Sequence, residues 1–173
     1  MIRPARPEEA AALSDLALRA KAHWGYDNAF LKACRAELTV TAVVMVDRRT
    51  FVLEESGRIL GFYQLTLDAG IADVAFFFID PPAIGHGLGA RLWEHLVAEA
   101  KRCGATKLTI EADPYAEAFY KKMGAETVGT APSASIPGRT LPLMEFALGA
   151  PNRRVKPIAP PPNSGSSRTR PRW

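Results

Sequence analysis

Leu13, Leu16, Ala17, Ala20 and Trp24 recur at helical spacing behind Pro7, Glu8 and Glu9. Proline and acidic residues suit the free amides of a helix start, so an amphipathic helix is expected to run to about His23. Gly25 interrupts it, and Asp27 is placed to cap a second helix carrying Leu31, Cys34 and Leu38 on one face. A short strand, Met1 to Ala5, precedes both. From Thr50 the period changes to two. Thr50 to Glu55 and Arg58 to Leu67 are expected to form a hairpin across Ser56-Gly57. Ile71 to Ile79 is apolar on both faces apart from Asp73, the pattern of a strand central in its sheet.

The helical period then returns. Leu88, Leu92, Leu96 and Ala100 line one stripe between Gly87 and Cys103, with Gly104 as the terminating glycine. Lys107 to Glu111 is the next strand, Ala116 to Lys122 a short helix stopped by Gly124, and Thr127 to Thr130 and Leu141 to Leu148 close the chain. The order β–α–α–β–β–β–α–β–α–β–β predicts antiparallel neighbours early. A strand–helix–strand crossover in the middle requires parallel pairing there. The fold class is α/β, with a mixed sheet flanked by helices.

Charge changes this picture only at the end of the chain. Of 22 basic residues, six (Arg153, Arg154, Lys156, Arg168, Arg170 and Arg172) follow Ala150, where no acidic residue occurs. Residues 1–150 keep 16 basic against 18 acidic residues and form the expected folded domain. Residues 151–173, rich in Pro, Ser and Arg, lack the apolar surface to offset ordering entropy and are expected to be a disordered basic tail. Only the terminal Trp173 interleaves an aromatic ring with those charges, so a nucleic-acid partner is not expected. No run of about 18 apolar residues occurs, which excludes a spanning helix. The first residues lack the layout of a signal peptide. Two cysteines, Cys34 and Cys103, form no disulfide framework, pointing to a cytoplasmic setting. His23, His86 and His95 lack metal-ligand spacing, so no metal is expected.

The segment richest in chemistry is Phe76-Phe77-Phe78-Ile79-Asp80-Pro81-Pro82-Ala83-Ile84-Gly85-His86-Gly87-Leu88-Gly89-Ala90. A buried strand ends, prolines turn the chain, and three alternate glycines enter a helix. Such a loop offers free backbone amides to a phosphate or pyrophosphate. The spacing is neither that of a nucleoside-triphosphate loop nor that of a dinucleotide fingerprint.

This loop resembles the pyrophosphate loop of the GCN5-related N-acetyltransferases (GNAT), Gln/Arg-x-x-Gly-x-Gly/Ala. Asp113-Pro114-Tyr115-Ala116-Glu117-Ala118-Phe119-Tyr120-Lys121-Lys122-Met123-Gly124-Ala125 is similar to the same family's later helix, Ala-x-x-Phe-Tyr-x-x-x-Gly. Both stand in the family's order, and the resemblance spans about residues 1–148. It implies a sheet splayed near its middle, with acetyl-CoA as co-substrate and direct attack by an amine in a ternary complex. It further implies that backbone groups of Phe78, Ile79 and Asp80 hold the pantetheine and acetyl carbonyl. Amides of Gly85, His86, Gly87, Leu88, Gly89 and Ala90 would hold the pyrophosphate. Tyr120 falls on the tyrosine that protonates the departing thiolate, and Tyr115 lies where a pantetheine contact is made. Two positions depart from the pattern. Ile84 replaces the opening Gln/Arg, and Tyr115 replaces an Asn common in the family.

For the proton acceptor, Asp73 stands where members often carry an acid, and alternation puts it on one face with Ala75, Phe77 and Ile79. Glu111, ending the next strand, is the second candidate. Family acceptor pockets often form around the first two helices. Here that stretch contains Trp24, Tyr26, Asp27 and Phe30, where rings and a carboxylate would suit a cationic amine. The mildly acidic body favours a small-molecule amine as partner, and dimers are common in the family. A non-catalytic CoA-binding module with the same fold is the alternative reading.

Overall fold

The computed structural model describes residues 1–149; the expected basic tail, 151–173, lies outside the described residues. Seven strands form one sheet: β1 (Ile2–Pro4), β2 (Arg49–Glu55), β3 (Arg58–Asp68), β4 (Ile71–Ile79), β5 (Lys107–Glu111), β6 (Glu126–Pro132) and β7 (Thr140–Ala147). Their order is β1-β2-β3-β4-β5-β7-β6, which puts β4 at the centre as its two-faced apolar pattern requires. Five helices flank the sheet: α1 (Ala10–Ala22), α2 (Asn28–Cys34), α3 (Ala42–Asp47), α4 (Leu88–Arg102) and α5 (Glu117–Lys122). β2 and β3 close through Ser56 and Gly57, both at positive φ (50° and 75°), the geometry of a two-residue hairpin.

Helix α3 was not expected. Its run Ala42-Val43-Val44-Met45-Val46 is β-branched and lacks helical contrast, because only Met45 is buried in it. The side chain of Thr41 starts it by accepting from the Val44 amide at 3.2 Å. Asp27 caps α2 as expected, accepting from the Phe30 amide at 2.8 Å. Leu31, however, is absent from the core that takes Cys34 and Leu38. The helix ends at Cys34, so its expected stripe does not continue.

Two cores sandwich the sheet. On one face, Leu92, Trp93, Leu96 and Ala100 of α4 pack with Tyr120 of α5 against Leu53, Tyr63, Val74 and Leu108. On the other, Leu13, Leu16 and Ala17 of α1 pack with Cys34, Leu38 and Met45 against Val52, Phe62 and Phe76.

Two irregularities in β4 position the site. Gln64 pairs with Phe76 but Leu65 pairs with Val74, so Ala75 is an extra residue on β4. This bulge reverses the strand's alternation. Ala72, Val74, Phe77 and Ile79 join the α4 core, while Ala75, Phe76 and Phe78 join the α1 core. The shared face expected for Asp73, Ala75, Phe77 and Ile79 is therefore corrected, since regular alternation does not survive an inserted residue. Secondly, β4 and β5 pair in parallel only from Ile71/Lys107 to Asp73/Thr109 and then separate. Beyond Asp73 one edge of β4 has no strand beside it. The sheet is splayed there.

Candidate functional site

A cavity of about 560 Å³ opens where β4 leaves β5. Its floor is the free part of β4, from Val74 to Ile79, and the end of β5 with Glu111. Ile84, Gly85, Gly87 and Gly89 line one end. Trp24, Cys34, Glu37, Ser133 and Arg139 line it from other elements, with Tyr115 and Tyr120 along the α5 side.

The glycine end is backbone chemistry. Gly85 and Gly87 have φ of 87° and 77°, left-handed conformations that a side chain would strain. Gly87 caps α4, and Arg91 is the first amide to reach an intrahelical acceptor, the Gly87 carbonyl at 3.2 Å. The amides of Leu88, Gly89 and Ala90 consequently have no intrahelical acceptor and sit at the positive end of the helix. Gly89 has a different reason: a Cβ there would lie 3.2 Å from the Phe119 ring, so glycine lets α5 pack against α4. Leu88 faces the core, and His86 is exposed with its Nδ1 3.1 Å from the Ile84 carbonyl. Neither side chain is part of the cavity lining, so any contribution from these positions comes through their amides.

Tyr120 is buried to 5% exposure with its ring held edge-on by Phe77, Trp93 and Phe119. Burial, reinforced by the charge of Asp113, pushes its phenol well above the ordinary tyrosine value. It therefore stays protonated at neutral pH. A protonated phenol lining an apolar cavity is equipped to donate a proton.

Asp80 is not brought to the cavity. Its amide donates to the Leu60 carbonyl and its carbonyl accepts from the Ala83 amide, both at 2.8 Å. Its buried carboxylate binds Arg19 and Arg58, each at 3.1 Å. Asp80 follows the end of β4, so of the three β4-end residues expected to hold the pantetheine, Phe78 and Ile79 line the cavity and Asp80 does not. Asp73 also lies off it, where β4 and β5 are still paired. Its Oδ1 accepts from the Thr109 hydroxyl at 2.8 Å, and its charge acts on the half-buried guanidinium of Arg48. Glu111 does line the cavity.

The opposite end is built from side chains far apart in sequence. The Tyr26 hydroxyl lies 3.1 Å from both oxygens of Asp113, and Arg139 Nη2 donates to Tyr26 Oη at 2.6 Å. Lys21 closes the group with a short ion pair to Asp113. Burial pushes the Asp113 carboxyl up, but the charge and hydrogen bond of Lys21 outweigh it and hold the group below the ordinary carboxylate value. Burial and Asp113 raise the Tyr26 phenol. The rings of Tyr26 and Phe30 stack at 4.0 Å and are already occupied by cations of the chain itself. The Arg139 guanidinium stands 5.2 and 4.9 Å from their centroids, and Lys21 Nζ 5.1 and 5.7 Å. Tyr26 and Phe30 thus brace the wall, while Asp27 caps α2. Of the four residues expected to hold an acceptor, only Trp24 lines the cavity, stacked on Tyr115 with centroids 5.4 Å apart. Lys21, Glu37 and Arg139 carried no sequence signal, because no period or motif joins α1, the end of α2 and the β6–β7 loop.

A model of the acetyltransferase (GNAT) domain matches residues 9–134. The chain belongs to the GNAT acetyltransferase family. A curated relative, an IAA acetyltransferase of Azospirillum brasilense, is 30% identical over 92 residues, covering 50% of this chain and 60% of its own length. A solved GCN5-related N-acetyltransferase from Rhodopseudomonas palustris superposes with a TM-score of 0.70 at 22% identity, covering 85% of this chain and 94% of that one. The PaiA N-acetyltransferase of Thermoplasma acidophilum, solved in complex with coenzyme A, gives 0.68 at 17% identity over 85% of this chain and 98% of that one. These structures share the GNAT fold, including the mixed sheet expected from the sequence. Among the described residues no helix is long and apolar enough to cross a membrane, and no group of three or more His, Cys, Asp or Glu stands placed to hold a metal.

Proposed function

We propose that this GNAT acetyltransferase moves the acetyl group of acetyl-CoA to a small-molecule amine by direct attack in a ternary complex. The observation that carries the reading is the splay of β4 from β5, which opens one cavity between the α4 amide cradle and the α2 side of the molecule. The amides from Gly85 to Ala90 hold the pyrophosphate. The pantetheine lies along the free edge of β4 at Phe78 and Ile79, in the place a fifth strand would take. Ile84 contributes only its backbone there, and Tyr115 borders the cofactor through its ring.

Tyr120 donates a proton to the departing thiolate. A thiol of pKa near ~8.5 is a good leaving group, and a phenol above ~10 remains able to assist it. The ammonium must lose a proton before it attacks, and Glu111 takes it, being the carboxylate at the foot of the splay. Asp73, engaged by Thr109 and Arg48, serves the sheet junction instead.

Release of the CoA thiol, followed with a thiol reagent against a panel of primary amines, tests the reading. Amine-dependent release is expected, together with an N-acetyl product by mass spectrometry. Tight binding of CoA with no transfer to any amine would replace the enzyme by a CoA-binding module.

A further inference from the structure

The acceptor end of the cavity contains a carboxylate oxygen that the protein itself does not satisfy. Glu37 follows the end of α2 and lines the cavity, and its Oε1 is buried with no hydrogen-bond partner. Leaving a charged acceptor buried and unmatched is among the more costly arrangements in a folded protein. The nearby cations do not relieve it. Lys21 is spent on Asp113, and Arg139 on Tyr26 and Asp113. Lys21, Glu37 and Arg139 all act electrostatically on the thiol of Cys34, so they belong to one neighbourhood. There, the ion pairs of both cations go to Asp113, and Glu37 Oε1 is left to a positive group from outside the chain.

We infer that Glu37 holds a second, non-reacting cationic group of the acceptor. This rests on the reading that the cavity takes an amine beside acetyl-CoA. The attacking nitrogen must be uncharged when it attacks the thioester, so it cannot remain the ion-pair partner of Glu37. A distal ammonium can. The acceptor class is therefore a short diamine, or an amine bearing one other cation. A third positive charge would meet Lys21 and Arg139, which line the same end. Trp24 and Tyr115 flank the space with rings, and Leu38 and Phe76 make its apolar side, which suits a methylene chain between two charged ends.

The test uses α,ω-diamines of three to six carbons, each matched with the monoamine of equal length, titrated calorimetrically into the full chain saturated with desulfo-CoA. At least one diamine is expected to bind ten-fold or more tighter than its monoamine. Glu37→Gln should abolish that preference while leaving desulfo-CoA affinity within two-fold, and Glu37→Asp should reduce it in part. Equal affinity across every pair, or a preference that survives Glu37→Gln, overturns the inference. Acetyl transfer is scored separately. Binding of a diamine through Glu37 while no amine of the panel is acetylated overturns the transfer reading and leaves the Glu37 contact standing.

Discussion

The two ends of the cavity are built in opposite ways. At the glycine end, one contiguous segment presents backbone amides, which the proposed function assigns to the cofactor, and the side chains of Leu88 and His86 stay out of the lining. At the opposite end, charged and polar side chains of Lys21, Tyr26, Glu37, Asp113 and Arg139 converge from separate stretches of the chain. A backbone site recognises what every member of a family shares. A side-chain site can be rewritten residue by residue without disturbing the fold. Under the proposed function, this contrast assigns cofactor recognition to the loop and acceptor choice to the wall.

The largest expected effect breaks the link between the ends. Tyr120→Phe removes the proton donor while keeping the ring contacts, so kcat should fall by about 10²-fold or more with CoA affinity unchanged within two-fold. Steady-state kinetics and calorimetry on the same preparation check it. Undiminished turnover would remove Tyr120 from the reaction.

Asp113→Ala attacks the wall. It strips Lys21, Arg139 and Tyr26 of their shared acceptor, and removing one partner from a largely buried ion pair costs about 3 kcal/mol of stability. Denaturant unfolding reads this directly. The same carboxylate predicts an acid limit. A carboxyl whose folded-state pKa is depressed stabilises the fold above its unfolded value, about 3.9, and loses that contribution as pH falls through the folded value. Wild-type stability should therefore decline below about pH 4 more steeply than that of Asp113→Ala.

Gly87→Val tests the opposite end. Forcing a β-branched residue to φ near 77° costs roughly 1–3 kcal/mol and displaces the first amides of α4. CoA affinity should drop at least ten-fold, whereas the binding preference among amines persists. Trp24→Ala is the mildest change. Trp24 is 37% exposed and stacks on Tyr115, so stability should move by under about 1 kcal/mol and the amine KM by a few-fold.

The same contrast explains what the sequence could reveal. The Gly85–Ala90 loop and Tyr120 sit in contiguous motifs tied to the period of α4 and α5, so the element order from β2 onward and these two segments were legible, whereas α3 was not. Asp73 and Asp80, backbone included, lie off the cavity because distant partners hold them, which local sequence does not disclose. Their partners Thr109, Arg19 and Arg58 are 22 to 61 positions away. One inserted residue, Ala75, defeated the alternation that put Asp73 on one face with Phe77 and Ile79. The rings of Tyr26 and Phe30 did suit a cation, but the cations were Arg139 and Lys21, which no local pattern could disclose.

Thermal unfolding with acetyl-CoA, desulfo-CoA and ATP tests the central claim, that the splayed edge of β4 and the α4 amides form a CoA site. Ligand at about 100 times its dissociation constant adds ~2.7 kcal/mol to the native state. For a domain of this size the midpoint should rise by roughly 5–10 °C with both CoA ligands and stay unchanged with ATP. An unchanged midpoint with millimolar acetyl-CoA, or an equal rise with ATP, would contradict it.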